Sequence, residues 1–332
     1  VKHWKETGEL LSRAVRLAEA GGRAALATVV RIEGSSYRRP GAKFLVEEEG
    51  ATAGGVSGGC LEADVSEVAL QVIRSGESRV LRYETGGDDA SVFGLGLGCN
   101  GTIEILVAPA TTRGAIEASR EILDLLSGDE AFAMSTPLRG EGAGRAAAHG
   151  PGASVPQATN DLFVETLTPP PALVVFGAGD DAIPLCSFAA EAGFRVTVVD
   201  HRPAALTQER FSRAFRLVSR RPAEGTTGLH VGPRAFAVVK THGFAQDREW
   251  VRLLLAAGVP YVGLLGPRAR GAKILSQIGA DAAGRVFTPV GLDLGAEGPE
   301  QVSIAIVAEL LAVRSSREPV SLREKEGAIH AG

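Results

Sequence analysis

Apolar residues recur at helical spacing near the start of the chain. Leu10, Leu11, Ala14, Leu17 and Ala18 mark one face of a helix over residues 4–20, and Gly21-Gly22 ends it. Residues 24–32 then read as a buried strand, 34–41 as a loop and 43–47 as a second strand. From Cys60 onward, Leu61, Val65, Val68, Ala69, Val72 and Ile73 return at the period of a helix that Cys60 opens. Strands follow over 80–83 and 102–107, separated by a glycine-rich loop over 86–101, and 115–126 reads as a helix. Between 127 and 171 periodicity fades, save for a last strand within 131–139. Pro169-Pro170-Pro171 punctuates the chain there.

After the prolines the pattern becomes an alternation. Apolar strands over 172–176, 195–199, 236–240 and 261–265 are interleaved with helices over 182–192 and 248–257, and a helix over 299–313 closes the segment. Strands alternating with helices make a parallel sheet covered on both faces. The fold class is therefore α/β. A compact α/β or α+β domain over 1–165 is followed by a Rossmann-like doubly wound domain over 166–332.

Composition narrows the function. The chain has 332 residues, 45% of them hydrophobic and 22% charged, the balance of an ordinary globular protein. A net charge of −4 argues against nucleic acid or an acidic membrane surface as partner. No apolar run is long enough to span a bilayer and no signal-peptide core opens the chain, so the expected address is cytoplasmic. Three cysteines make neither a disulfide framework nor a paired zinc motif, and are expected as free thiols.

Two of those cysteines lie in glycine runs: Gly58-Gly59-Cys60 and Gly98-Cys99. Glycines let a ligand approach the main chain, and a helix start offers unpaired N–H groups to an anion. Cys60 and Cys99 are the candidate soft donors to a metal, with Gly58, Gly59 and Gly98 as backbone cradles. Arg38, Arg39 and Lys43 bring positive charge that suits phosphate. Cys186, among Leu185 and Phe188, reads as a buried small hydrophobe. In the second half, Gly177-Ala178-Gly179 follows a strand directly and Asp200 ends the next one, the spacing of a dinucleotide site. Arg202 and His242 complete that candidate set, with NAD(P) or another nucleotide as ligand. Asp180-Asp181 places negative charge where phosphates would sit.

Several motifs in order resemble the XdhC/CoxI family of accessory proteins for xanthine dehydrogenase and related molybdenum hydroxylases. They are Gly34-Ser35-Ser36-Tyr37-Arg38-Arg39-Pro40-Gly41, Gly58-Gly59-Cys60-Leu61-Glu62, Gly96-Leu97-Gly98-Cys99-Asn100-Gly101, Phe176-Gly177-Ala178-Gly179 and Val199-Asp200-His201-Arg202-Pro203. Thr241-His242, Gly266-Pro267-Arg268 and the run from Pro289 to Gly295 extend the likeness over nearly the whole chain. It implies a chaperone that holds the molybdenum–pterin cofactor, in mononucleotide or cytosine dinucleotide form. The cofactor would be sulfurated there with a cysteine desulfurase as partner, then passed to an apo-hydroxylase such as xanthine dehydrogenase. Such a protein is an accessory factor rather than an enzyme; base rates add a homodimer. The residues alone leave two further readings open: a nicotinamide-dependent oxidoreductase using the second domain, and a persulfide relay through Cys60.

Overall fold

Small and branched apolar residues make β1 (Ala24–Gly34) the centre of a five-stranded antiparallel sheet. In the computed structural model, which describes residues 2–34, 37–84, 101–279 and 284–324, this strand follows α1 (Lys2–Glu19). On one side β1 pairs with β2 (Lys43–Glu47), which carries β3 (Thr52–Gly54). On the other it pairs with β5 (Gly101–Pro109), which carries β4 (Arg79–Glu84). Side chains alternate across a strand. Ala25, Ala27 and Val29 therefore join Phe44, Val46, Ile103, Ile105 and Val107 in one layer. Val65, Ala69, Val72 and Ile73 of α2 (Glu62–Ser75) close that layer.

Ala24, Leu26 and Leu45 point the other way and meet Leu10 and Ala14 of α1. The same side holds α3 (Arg113–Leu126) and a small sheet of β6 (Phe132–Pro137), β7 (Ala147–His149) and β8 (Leu162–Leu167), in the order β7-β6-β8. Trp4, Leu11, Ile122, Phe132, Met134 and Leu167 fuse these pieces. Between the sheets, Lys43 is buried with its Nζ 2.7 Å from Glu165 and 3.0 Å from the Gly41 carbonyl. Lys43 thus belongs to an internal ion pair. The expectation that it adds positive charge to a phosphate loop is corrected.

Beyond the prolines every paired strand is parallel. The chain runs through β9 (Ala172–Phe176), α4 (Ala182–Glu191), β10 (Arg195–Asp200), β11 (Arg216–Ser219) and β12 (Phe236–Val239). It continues through α5 (Phe244–Ala256), β13 (Tyr261–Leu264), α6 (Arg268–Ile278), β14 (Val286–Phe287) and α7 (Gly298–Arg314). The strand order is β11-β10-β9-β12-β13-β14. Leu185, Cys186 and Ala189 of α4 and Ile306 and Leu310 of α7 cover one face. Trp250, Val251 and Leu254 of α5 and Ile274 of α6 cover the other. The path moves outward from β9 and then restarts on its other side at β12. Such a reversal opens a crevice at the carboxyl ends of the strands, where open α/β sheets bind ligands.

The described residues divide into two compact units, Val1–Pro169 and Pro170–Gly332. The mixed α/β class with a doubly wound second half is what the hydropathy pattern predicts. One element begins late: α2 starts at Glu62, with Leu61 as its N-cap residue, so Cys60 lies in the turn before it. The expectation that Cys60 opens the helix is corrected by two residues. No helix among the described residues is long and apolar enough to cross a membrane.

Candidate functional site

The Cys60 loop is built on a tight departure from β3. Gly54 has φ +80°, and a Cβ there would collide with the Lys43 carbonyl oxygen, so only glycine fits. Gly55 then donates its N–H to that same carbonyl at 2.9 Å. Glu62 folds back from the first turn of α2. Its Oε1 accepts the N–H groups of Val56 at 3.1 Å and Ser57 at 2.8 Å, and its Oε2 accepts the Ser57 hydroxyl. The Ser57 oxygen in turn accepts the N–H groups of Gly59, Cys60 and Leu61, each at 3.1 Å. Burial works against charge on Glu62, but the Ser57 hydroxyl and these N–H donors outweigh it and hold the carboxyl below its ordinary value.

This closed network alters the chemistry expected of the loop. The N–H groups of residues 56, 57 and 59–61, which the glycine pattern offered to a phosphate, already have acceptors from the protein's own side chains. Of the expected anion cradle, the Gly59 and Cys60 N–H groups are engaged by Ser57, while that of Gly58 has no acceptor among the described residues. What the turn presents is Cys60 itself, half-buried at the rim of the α2 layer and outside any disulfide. Gly59, at φ +110°, has open space where a side chain would project, and the exposed Tyr37 ring lies against Gly58.

Arg38 turns inward: its guanidinium pairs with Glu6 of α1, and both side chains are largely buried. Its proposed role as a phosphate fork is corrected, because Glu6 already neutralises it. Arg39 is exposed. Gly98 and Cys99, the second thiol and its glycine, lie outside the described residues, as do Ser35 and Ser36. Among the described residues no group of three or more His, Cys, Asp or Glu side chains could hold a metal ion. Cys186 is fully buried on α4, where burial pushes its thiol up to about 11.

In the second unit the glycine loop after β9 has the geometry its sequence predicts. Gly177 has φ +116°, and a Cβ there would meet the Lys240 carbonyl oxygen at 2.5 Å, so the loops after β9 and β12 touch backbone to backbone. Asp200 is buried at the end of β10. Its Oδ2 accepts the Ala178 N–H at 2.8 Å and Arg202 Nη2 at 2.9 Å, while Oδ1 accepts the Arg202 N–H at 2.9 Å and its Nε at 3.0 Å. Burial raises its carboxyl, but the Arg202 fork and the backbone donors win and bring it down to about 2. Both oxygens of Asp200 are engaged by the protein's own donors, while Arg202 remains largely exposed beyond its fork on Asp200. The pair staples the glycine loop to β10.

Across the switch point the predicted His242 meets two residues that sequence reasoning gave no site role, Lys240 and Asp181. Lys240, at the end of β12, is buried, and its Nζ lies 2.5 Å from Asp181 Oδ1. The other Asp181 oxygen is 3.3 Å from His242 Nε2. His242 is mostly exposed and holds φ 63°, an uncommon left-handed conformation for a non-glycine residue. Asp180 is tied to Arg210 at 2.6 Å. Beneath them the buried Asp247 of α5 accepts the Thr241 N–H at 3.0 Å, the Thr241 hydroxyl at 2.6 Å and Arg270 Nη2 at 2.6 Å. The sequence carried one signal for Lys240: a lysine closes an otherwise apolar strand at its carboxyl end.

The fold and these sites define a two-part protein in which a cysteine-bearing α+β unit precedes a Rossmann-type unit. Residues 17–84 match the model of the XdhC and CoxI family, and residues 173–310 match that of the XdhC Rossmann domain. The chain belongs to the XdhC and CoxI family. It is 32% identical over 312 residues to a Bacillus subtilis protein named as a probable xanthine dehydrogenase subunit, a match covering 88% of this chain and 93% of that one. It is 38% identical over 96 residues to the Escherichia coli molybdenum cofactor insertion chaperone PaoD, covering 29% of each. A crystal structure described as a xanthine dehydrogenase from Bacillus halodurans superposes with a TM-score of 0.81 at 30% identity, covering 95% of this chain and 98% of that one.

Proposed function

We propose that this chain is a molybdenum-cofactor maturation factor. It holds the molybdenum–pterin cofactor as cargo and delivers it to an apo molybdenum hydroxylase of the xanthine dehydrogenase kind. The likeness to relatives named for xanthine dehydrogenase and for cofactor insertion supports the role. The observation that carries it is Cys60, a half-buried thiol on a turn whose shape its own side chains lock. A thiolate is a soft donor suited to molybdenum. The cargo's phosphate, in mononucleotide or cytosine dinucleotide form, is held elsewhere than on N–H groups 56, 57 and 59–61. A cysteine desulfurase would supply sulfur while the cofactor is held, and the factor would work in the cytoplasm beside its client.

The nicotinamide-dependent alternative is not carried forward. A dinucleotide needs an unengaged acid at the end of the second strand to take its ribose hydroxyls. Here both oxygens of Asp200 are held by Ala178 and Arg202.

The test is anaerobic reconstitution with purified cofactor, followed by molybdenum and pterin analysis of the full chain. Equal amounts of metal and pterin on the protein are expected, with retention falling ten- to a hundredfold in Cys60→Ser, the usual effect of removing a metal ligand or its support. Undiminished loading of Cys60→Ser, or no loading of the parent protein, would overturn the proposal.

A further inference from the structure

The Asp181 carboxylate occupies a particular place. A Cβ built on Gly179 would lie 2.7 Å from Asp181 Oδ1, so the carboxylate sits directly above the second glycine of the loop. In dinucleotide-binding folds that glycine lets the pyrophosphate approach the backbone. Asp181 is the N-cap residue of α4, yet its side chain makes no capping hydrogen bond; it reaches across to Lys240 and His242 instead. The protein has thus put one of its own anions where a ligand's anion would go.

The surroundings are those of an anion seat rather than a sealed core. An ammonium carries three donors. Lys240 Nζ is buried with Asp181 close enough for an ion pair, but no aligned hydrogen bond satisfies it. Among the described residues the N–H groups of Gly179, Asp180 and Asp181 have no acceptor either. Arg210 neutralises Asp180 on the outer side, and His242 forms the exposed lip. A buried ammonium short of acceptors calls for oxygen atoms, and a phosphoryl group brings three.

We infer that the crevice between β9 and β12 is a phosphoryl-binding site built from Lys240, His242 and the N–H groups of residues 179–181, with the Asp181 carboxylate as a tethered occupant that a ligand's phosphate displaces. The ligand class is a phosphomonoester or free phosphate. NAD(P) is disfavoured because Asp200 and Arg202 hold each other. This site is independent of the carrier role proposed for Cys60.

The experiment is calorimetric titration of the full chain with inorganic phosphate, AMP, CMP and NAD+, separately. Asp181→Ala opens the seat without removing a cap bond, and at least tenfold tighter binding of phosphate or a nucleoside monophosphate is expected. Combining it with His242→Gly or Lys240→Gln should reverse that gain at least tenfold. Glycine adopts φ 63° without strain, so the His242→Gly arm remains readable should loss of Lys240 disturb folding. AMP or CMP binding tighter than phosphate assigns a nucleoside to the ligand; equal binding assigns the phosphoryl group alone. No binding by Asp181→Ala at millimolar concentration would overturn the inference, as would affinity unchanged by His242→Gly or NAD+ binding that ignores Asp181.

Discussion

At the scale of single residues, Asp200 shows how a position can be legible while its role is not. Its spacing from the glycine loop marks it from sequence, but spacing does not say which donors its oxygens meet. Those donors are the protein's own Ala178 and Arg202, so the carboxylate acts in stability. Its folded value is depressed from 3.8 to about 2. The contribution is therefore present above the unfolded value and lost as pH falls through the folded one. Asp200→Asn is expected to lower stability by about 2 kcal/mol at neutral pH. In urea unfolding, the gap between parent and variant should close as pH drops from about 4 toward about 2. A gap that stays constant over that range would show the charge to be irrelevant. Lys240 and Asp181 escape sequence reading for the reverse reason: two adjacent acids read as repulsion until the buried ammonium opposite them is seen.

At the scale of elements, hydropathy serves long segments and fails short or weakly patterned ones. β3 and β7 are three residues each, too short for alternation to register. The hydropathy pattern assigns no element to residues 268–278, where Gly271 interrupts a segment rich in charge. Yet α6 runs through it, and a Cβ at Gly271 would strike Thr288 Oγ1, so the glycine serves packing. The start of α2 falls later than periodicity predicts because Ser57 and Glu62 hold the chain in a turn until Glu62, a device that lies in side-chain bonds. That device is testable. Glu62→Ala leaves the Val56 and Ser57 N–H groups and the Ser57 hydroxyl without their acceptor, at about 1–3 kcal/mol. Alkylation of Cys60, followed by peptide mass, should accelerate as the turn loosens. Unchanged reactivity and an unchanged unfolding midpoint would show the network to be incidental.

At the scale of the whole molecule, each unit has apolar clusters of its own among the described residues. The clusters of the parallel sheet begin at Leu173 and Val174, and those of the antiparallel half end by Leu167. A unit that owns its core can fold without the other. A fragment over residues 170–324 should therefore give a helical far-UV spectrum and a cooperative thermal transition. A fragment that stays unfolded would show that the second unit depends on the first. The alternation of strands and helices makes this half readable from sequence. The other half is harder because its strands pair antiparallel across long separations, as β1 with β5 and β6 with β8, and no local repeat announces such partners.

The self-contained turn before α2 has a consequence for anything that must be taken up and later released. A binding loop that orders only around its guest loses part of the binding free energy to that ordering. Here Glu62 and Ser57 impose that order in advance, through bonds internal to the protein. Departure leaves the N–H groups of residues 56, 57 and 59–61 with the acceptors they already have. On the reading proposed above, what release must undo at this turn is the sulfur–metal contact.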